Sequence, residues 1–125
     1  MTSNLKSDIG LALLRIASSA FMITHGFPKF QKLIAGNFEF GDPIGIGATP
    51  TLFLAVLAEF VCPILIIVGF KTRWAAILPA ITMLVAAGMV HLSDPFGKKE
   101  KALLFLVIFV TIILLGPGKY SIDRK

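Results

Sequence analysis

Four long apolar runs dominate this sequence and limit its fold more than any other feature. They extend over 9–27, 51–70, 74–92 and 102–116, and the fourth run continues naturally back to Glu100. A helix needs about 20 predominantly apolar residues to cross the roughly 30 Å hydrocarbon layer of a bilayer. We therefore predict an all-α fold, a transmembrane four-helix bundle. A single domain over 1–125 would hold helices at about 7–30, 51–70, 74–92 and 99–116.

The composition excludes the soluble alternatives. Hydrophobic residues make up 56% of the chain and charged residues 15%, whereas soluble domains carry roughly 25% charged residues. The mean hydropathy of +0.87 leaves too little polar surface for a soluble enzyme, a secreted disulfide scaffold or a disordered tail. The period-two alternation that is typical of a membrane β-barrel is absent from the apolar runs.

The charge and the cysteine content limit which partners and metal sites the chain can have. The formal net charge is +5, but the basic residues lie between the apolar runs, so we expect anionic lipid headgroups and not nucleic acid to face them. Cys62 is the one cysteine, which excludes an internal disulfide and a thiolate metal cluster. No metal-ligand spacing is present, so we predict no metal site and no covalently bound cofactor.

We call side A the face of the membrane that holds both termini and side B the opposite face. Basic residues are distributed almost evenly: Lys6, Lys71, Arg73, Lys119, Arg124 and Lys125 on side A, and Lys29, Lys32, Lys98, Lys99 and Lys101 on side B. The slight excess on side A, together with Trp74 and Tyr120 as interfacial anchors, predicts cytoplasmic termini. Arg15 lies in the middle of the first run, which argues that this run is a retained helix and not a cleaved signal peptide.

Arg15 and Glu59 are charged residues inside predicted spans. A charge at the centre of a membrane helix costs about 2.5 to 3.5 kcal/mol, so each needs a partner or a purpose. Counted from the expected helix starts, the two residues differ in height by only about 6 Å. We therefore predict an Arg15–Glu59 ion pair between the first two helices. The alternative is that the pair only locks the helices together.

Other polar groups are predicted to meet near side B. His25 closes the first helix, His91 closes the third and Glu100 opens the fourth, with Lys29 one turn beyond His25. Together with Glu59 they could transfer protons. The alternative is a set of interfacial side chains that water and headgroups satisfy. Haem held by two histidines is disfavoured, because His25 and His91 are the only pair in the chain.

A polar stripe and a proline add detail to this region. Steps of three and four residues along the first helix place one set of side chains on one face, which should point into the bundle: Arg15, Ser18, Ser19, Met22, His25, Gly26 and Lys29. Pro63 cannot donate a backbone hydrogen bond, so the carbonyl of Glu59 should lose its helical donor.

The order and spacing of several short motifs resemble the DoxX family of small membrane proteins. The residues that carry the resemblance are Arg15, His25-Gly26-x-x-Lys29, Glu59, Gly69-x-x-Thr72-Arg73, Glu100 and Gly116-Pro117-Gly118-x-Tyr120-Ser121-Ile122-Asp123. The resemblance implies a four-helix inner-membrane protein. It also implies a link to thiosulfate:quinone oxidoreduction, or to membrane complexes that manage oxidative and thiol stress, with oxidoreductase or sulfurtransferase partner subunits.

These observations predict a small subunit of a membrane redox or stress-response complex. Its interior pocket would bind a quinone or another small polar ligand through Arg15, His25, Lys29, Glu59, His91 and Glu100. His25 and Glu59 would exchange protons, while Arg15 would hold an anionic or carbonyl oxygen. Two rivals stay open: a non-catalytic module that anchors or assembles partners, and a carrier of small solutes or protons. The sequence leaves open whether the chain catalyses anything alone and whether it forms a homo-oligomer.

Overall fold

A computed structural model describes residues 3–40, 45–90 and 95–123 of the chain. Within these ranges the chain forms four helices and no strand, which confirms the predicted all-α fold. The first three helices are long and apolar enough to cross a membrane. The fourth has Lys99, Glu100 and Lys101 in its first two turns, and its remainder is apolar. The chain is therefore a multi-pass membrane protein.

The helices differ in length and regularity. The first covers Ser3–Ile34 and is longer at both ends than predicted. The second covers Ala48–Val68, the third covers Thr72–Val85 and continues into a π-helical turn at Ala86–Val90, and the fourth covers Phe96–Leu115. The 32 residues of the first helix span about 48 Å, so this helix must tilt or project beyond a hydrocarbon layer of about 30 Å.

The second helix widens where it carries its acidic residue. Leu57–Val61 forms a π-helical turn, and the N–H of Cys62 donates to the carbonyl of Leu57, five residues back. Pro63 follows directly and has no N–H to give to the carbonyl of Glu59. Such turns inside α-helices are frequent at functional sites. In this widened turn the Glu59 carbonyl faces the first helix.

The core lies between the third and fourth helices and reaches the first two. Its buried members are Met22, Cys62, Ile66, Ala75, Ala76, Ala80, Met83, Ala87, Ala102, Phe105, Phe109 and Ile112. The alanines of the third helix allow a close approach of the fourth helix, as small residues do in membrane proteins. Large apolar side chains such as Leu13, Phe21 and Leu114 are exposed on the outside, where lipid would cover them.

The polar stripe of the first helix faces the bundle interior, as predicted. Arg15, Ser18, Ser19 and Met22 are buried. Gly26 packs so closely on the widened turn of the second helix that a Cβ there would overlap the carbonyl group of Glu59. This contact sets the height at which the first two helices meet.

Candidate functional site

The predicted Arg15–Glu59 ion pair is wrong. Glu59 pairs with Lys29, and the Arg15 guanidinium donates to backbone carbonyls near side A. Since Gly26 lies opposite Glu59, Arg15 is about 16 Å further along the first helix, which is beyond the reach of its side chain. The structure therefore separates the two charges into two different polar regions.

The first region is a cluster on side A that we call the clasp, formed by Arg15 and residues 116–123. The Arg15 side chain is 2% exposed and donates four hydrogen bonds. Nε reaches the carbonyl of Ile66 at 2.7 Å, and one Nη reaches that of Ile67 at 3.1 Å. The carbonyls of Pro117 and Tyr120 each accept at 2.7 Å. A guanidinium has five N–H donors, so the backbone occupies most of its binding capacity.

The clasp provides hydrogen-bond donors to the free carbonyl groups at the C-terminal end of the second helix. The last four carbonyls of a helix have no partner within it. Gly69, with a left-handed φ of 77°, allows its own N–H and that of Phe70 to turn back to Ile66 and Leu65. Arg15 binds two of the four carbonyls, and the N–H of Ile122 binds the carbonyl of Val68 at 3.1 Å. The positive charge also complements the negative end of the helix dipole.

Asp123 closes the start of the third helix. Its carboxylate accepts from the backbone N–H of Lys71 at 3.0 Å and from that of Thr72 at 2.9 Å. The hydroxyl of Thr72 donates to the same carboxylate at 3.0 Å. The motif Tyr120-Ser121-Ile122-Asp123 thus caps the turn between the second and third helices, which is a structural role that the sequence interpretation did not assign.

The second region is a cavity near side B, which we call the side B cavity. Its volume is about 270 Å³, and all four helices contribute to its wall: Met22, His25, Lys29, Glu59, Thr82, Met83, Ala86, Lys101, Ala102 and Phe105. The polar members come from the first, second, third and fourth helices in turn. Methionine, alanine and phenylalanine side chains form the apolar part of the wall.

The Lys29–Glu59 ion pair is the electrostatic centre of this cavity. Lys29 Nζ lies 2.6 Å from both carboxylate oxygens of Glu59. The Glu59 side chain is 5% exposed and that of Lys29 is 30% exposed. The ring of Phe40 also lies 5.8 Å from Lys29 Nζ. Glu59 is therefore a buried carboxylate that a more accessible lysine neutralises.

His25 lies one helical turn before Lys29 on the same face. Its ring meets Phe105 edge-to-face, with centroids 6.1 Å apart and an interplanar angle of 82°. Among the residues that the structure describes, its imidazole nitrogens have no hydrogen-bond partner. His25 lines the cavity, so its imidazole offers a ligand one hydrogen-bond donor and one acceptor.

The remaining predicted site residues are placed differently. Arg15 belongs to the clasp and not to the side B cavity. Glu100 is exposed at the start of the fourth helix and does not line the cavity. His91 lies outside the described residues. The predicted ligand-binding role of His91 stays a prediction.

Sequence interpretation missed two polar members of the cavity wall, Thr82 and Lys101. Lys101 follows Glu100 directly, which turns it about 100° around the fourth helix toward the cavity. The helical period of the apolar positions Ala102 and Phe105 could have shown which side of the fourth helix faces inward. Lys101 has no ion-pair partner in the part of the chain that the structure describes.

The cavity combines hydrogen-bonding groups with an apolar wall. Glu59 and Lys29 neutralise each other, and Lys101 adds a positive charge at the margin. His25 can donate or accept one hydrogen bond on either nitrogen. This arrangement suits an uncharged or anionic ligand with oxygen atoms, and it offers a histidine and a carboxylate that could exchange protons with it.

Comparisons with known proteins agree with the resemblance seen in the sequence. A model of the DoxX family matches residues 10–92. An uncharacterized protein of Haemophilus influenzae is 33% identical, with 92% of this chain and 89% of the relative covered. CatD of Bacillus subtilis, which bears the provisional name of an oxidoreductase, is 30% identical over 96% of this chain and 89% of its own length. The inner membrane protein YqjF of Escherichia coli is 32% identical over 94% and 92%. No solved structure matches the chain.

Proposed function

The chain belongs to the DoxX family of membrane proteins, and on that premise we propose that it is a small subunit of a membrane redox or stress-response complex. The side B cavity would bind the head group of a quinone or a similar small polar molecule. The His25 imidazole would donate a hydrogen bond to a quinone oxygen, and the Glu59 carboxylate would accept one from a quinol hydroxyl, so that both side chains could exchange protons with the ligand.

One observation carries this proposal: His25 faces the cavity without a protein hydrogen-bond partner in the described residues, one turn from a buried Lys29–Glu59 pair. A polar side chain at membrane depth is costly unless something satisfies it. A quinone oxygen could accept a hydrogen bond from the imidazole, and oxidation of a bound quinol to the quinone would release two protons, which a neutral His25 and the Glu59 carboxylate could accept while the two electrons pass to a partner subunit.

The size of the cavity supports a head group and not a whole lipid-soluble cofactor. Pockets for drug-sized ligands occupy about 300–1,000 Å³, and this cavity is slightly smaller at about 270 Å³. Met22, Met83 and Phe105 would contact the ring of the ligand, while an apolar tail would extend between helices into lipid. Lys101 could bind a second oxygen at the margin.

The chain itself would need a partner for electron transfer. It contains one cysteine, Cys62, and cannot cycle an internal disulfide. The electrons would therefore come from, or pass to, a partner subunit of oxidoreductase or sulfurtransferase type. The name of the Bacillus subtilis relative is consistent with such a setting. The slight excess of basic residues on side A favours cytoplasmic termini, which would open the side B cavity toward the opposite face of the inner membrane.

The test is binding of short-chain quinone analogues to the purified protein in detergent, measured by equilibrium dialysis. The wild-type protein should bind a ubiquinone or menaquinone analogue, and Glu59→Gln and His25→Phe should each weaken binding at least tenfold. Glu39→Gln is the matched control, because Glu39 is an exposed carboxylate outside the cavity. If the wild-type protein binds neither analogue, or if folded E59Q and H25F bind as the wild type does, the proposal is wrong.

The clasp favours a second candidate, a non-catalytic module that anchors or assembles partner proteins. Arg15, the most deeply buried cation of the first helix, serves the backbone alone. Under this reading the Lys29–Glu59 pair also only holds two helices together. Glu59→Gln would then reduce stability or change nothing, without any quinone binding in the wild type.

A further inference from the structure

A second cavity lies at side A, beyond the region that the proposed function uses. Its volume is about 280 Å³, and it is lined by Lys71, Thr72, Arg73, Trp74, Pro117 and Asp123. The third membrane-spanning helix begins at Thr72. These side chains therefore stand where the hydrocarbon layer gives way to lipid headgroups.

The guanidinium of Arg73 is held flat against the backbone. A Cβ at Gly116 would lie 2.9 Å from one Nη of Arg73, 3.1 Å from Cζ and 3.2 Å from Nε. Because these three distances are nearly equal, the plane of the guanidinium faces the glycine, and its N–H donors point outward in that plane. Arg73 has no hydrogen-bond or ion-pair partner in the described ranges. The side chain therefore lies against Gly116 with its donors available to a ligand from outside the described residues.

Lys71 supplies the second cation in an unusual conformation. Its φ is 50°, and it is the one non-glycine residue with a left-handed φ among those the structure describes. Glycine or asparagine would adopt this conformation more easily. Asp123 holds it by accepting from the N–H groups of Lys71 and Thr72. A lysine at this position places an ammonium group beside the cavity.

Trp74 marks the level of the cavity in the membrane. Its side chain is 76% exposed at the second residue after the helix start. Tryptophan is enriched at the membrane interface, where its ring packs among lipids and its N–H meets the headgroups. The cavity is therefore open to the layer in which lipid phosphates lie.

We propose that the side A cavity binds the phosphate of an anionic phospholipid from the leaflet on side A. The Arg73 guanidinium would bind two phosphate oxygens in its planar, two-pronged geometry, which suits phosphate better than a lysine does. Lys71 would add a point charge, and Trp74 would pack beside the glycerol. The negative charge of Asp123 opposes a phosphate, but the two cations, Lys71 and Arg73, outweigh it, and its oxygens are directed at three donors of Lys71 and Thr72.

Trp74 makes the proposal testable, because it is the single tryptophan of the chain and lines the cavity. The full chain is reconstituted in phosphatidylcholine vesicles that contain equal fractions of acyl-brominated phosphatidylglycerol or acyl-brominated phosphatidylcholine. We expect the brominated phosphatidylglycerol to quench Trp74 fluorescence at least twofold more strongly. Arg73→Gln should bring the ratio of quenching by brominated phosphatidylglycerol to quenching by brominated phosphatidylcholine close to one. Lys119→Gln, which removes an exposed cation of the same face outside the cavity, should leave the ratio unchanged.

The outcomes separate the lipid from other sources of phosphate. A wild-type ratio near one, or an unchanged ratio in R73Q, contradicts the proposal. Inorganic phosphate that abolishes the preference at constant ionic strength would show a site for the free ion and would also overturn it. If R73Q does not fold, the proposal is tested with Lys71→Gln instead, because loss of this cation alone should lower the quenching ratio. An unchanged ratio in K71Q would then contradict the proposal.

Discussion

At side A the guanidinium of Arg15 donates only to backbone carbonyls, whereas near side B the Lys29–Glu59 pair and His25 line a cavity. Both regions bury charged side chains at the first helix, but they differ in which polar groups remain available to bind a ligand. The clasp engages four donors of Arg15 and ties together segments far apart in the chain. The cavity leaves the imidazole of His25 unengaged by the described residues.

The first helix therefore carries two functions at different heights: the clasp contributes to stability, and the side B cavity would contribute to ligand binding. A charged side chain whose donors are mostly directed at the backbone holds the fold and offers little to a ligand. A charge pair beside an unsatisfied imidazole contributes less to the fold and can respond to a ligand. Substitutions in the clasp should therefore reduce the free energy of unfolding, and substitutions in the cavity should mainly reduce ligand binding.

The largest loss of stability is expected for Arg15→Leu. It leaves the carbonyls of Ile67, Pro117 and Tyr120 without the Arg15 donor, and each buried polar group left unsatisfied costs about 1–3 kcal/mol. Arg15→Lys should recover only part of this, since one ammonium cannot reach four carbonyls. The measurement is unfolding in mixed micelles of increasing sodium dodecyl sulfate. Lys6→Leu, an exposed cation on the same helix, is the control; an R15L variant as stable as K6L would refute the clasp.

A smaller loss is expected for Gly26→Ala, which tests the contact between the first and second helices. The added Cβ would overlap the carbonyl group of Glu59 and lie 2.8 Å from the backbone nitrogen of Phe60. Backbone cannot give way as a side chain can, so the cost should be about 1–3 kcal/mol. Gly10→Ala is the matched control on the same helix, because nothing lies within 4 Å of its Cβ position. Equal unfolding curves for the two variants would show that the helices do not meet at Gly26.

Asp123→Ala should cost less again, about 0.5–2 kcal/mol, as the loss of a helix cap does. The N–H groups of Lys71 and Thr72 would lose their acceptor, but water at the membrane surface can replace part of it. Hydrogen exchange should show faster exchange at Thr72, while the amides around Glu59 keep their wild-type rates. Faster exchange around Glu59 would contradict the separation of the two regions.

The smallest effect on stability is expected for Glu59→Gln, about 1 kcal/mol or less. The glutamine still accepts a hydrogen bond from Lys29, whose side chain is 30% exposed and can extend its charge toward water. Quinone binding, by contrast, should fall most in this variant. A double-mutant cycle with Lys29→Gln measures the coupling between the two side chains. A loss of stability as large as that of R15L would remove the contrast between the two regions.

The sequence predicted the helices and the buried stripe, because apolar run length and helical period are local properties that the bilayer enforces. It could not predict the partner of Arg15, since backbone carbonyls are present at every residue and carry no signature in the sequence. The false pairing with Glu59 arose from counting heights from assumed helix starts. In the structure the first helix begins at Ser3, and the fit of Gly26 on the widened turn sets the register.

The candidate site was predicted in part for the same reason. His25, Lys29 and Glu59 all line the cavity, because helical spacing placed the first two on one face and topology brought the third to that height. Thr82 and Lys101 depend on the rotation of the third and fourth helices about their own axes. That rotation follows from packing across the core, which a single sequence does not display.

The order in which the clasp partners are synthesised has a consequence for biogenesis. Arg15 leaves the ribosome early, but the carbonyl of Pro117 comes 102 residues later, which at usual translation rates is a delay of about 5–20 s. During that interval the carbonyls of Ile66 and Ile67 are already made, but two of the four acceptors of Arg15 are still missing. The clasp therefore cannot close before the fourth helix has been made, so it is one of the last contacts to form as the nascent chain folds.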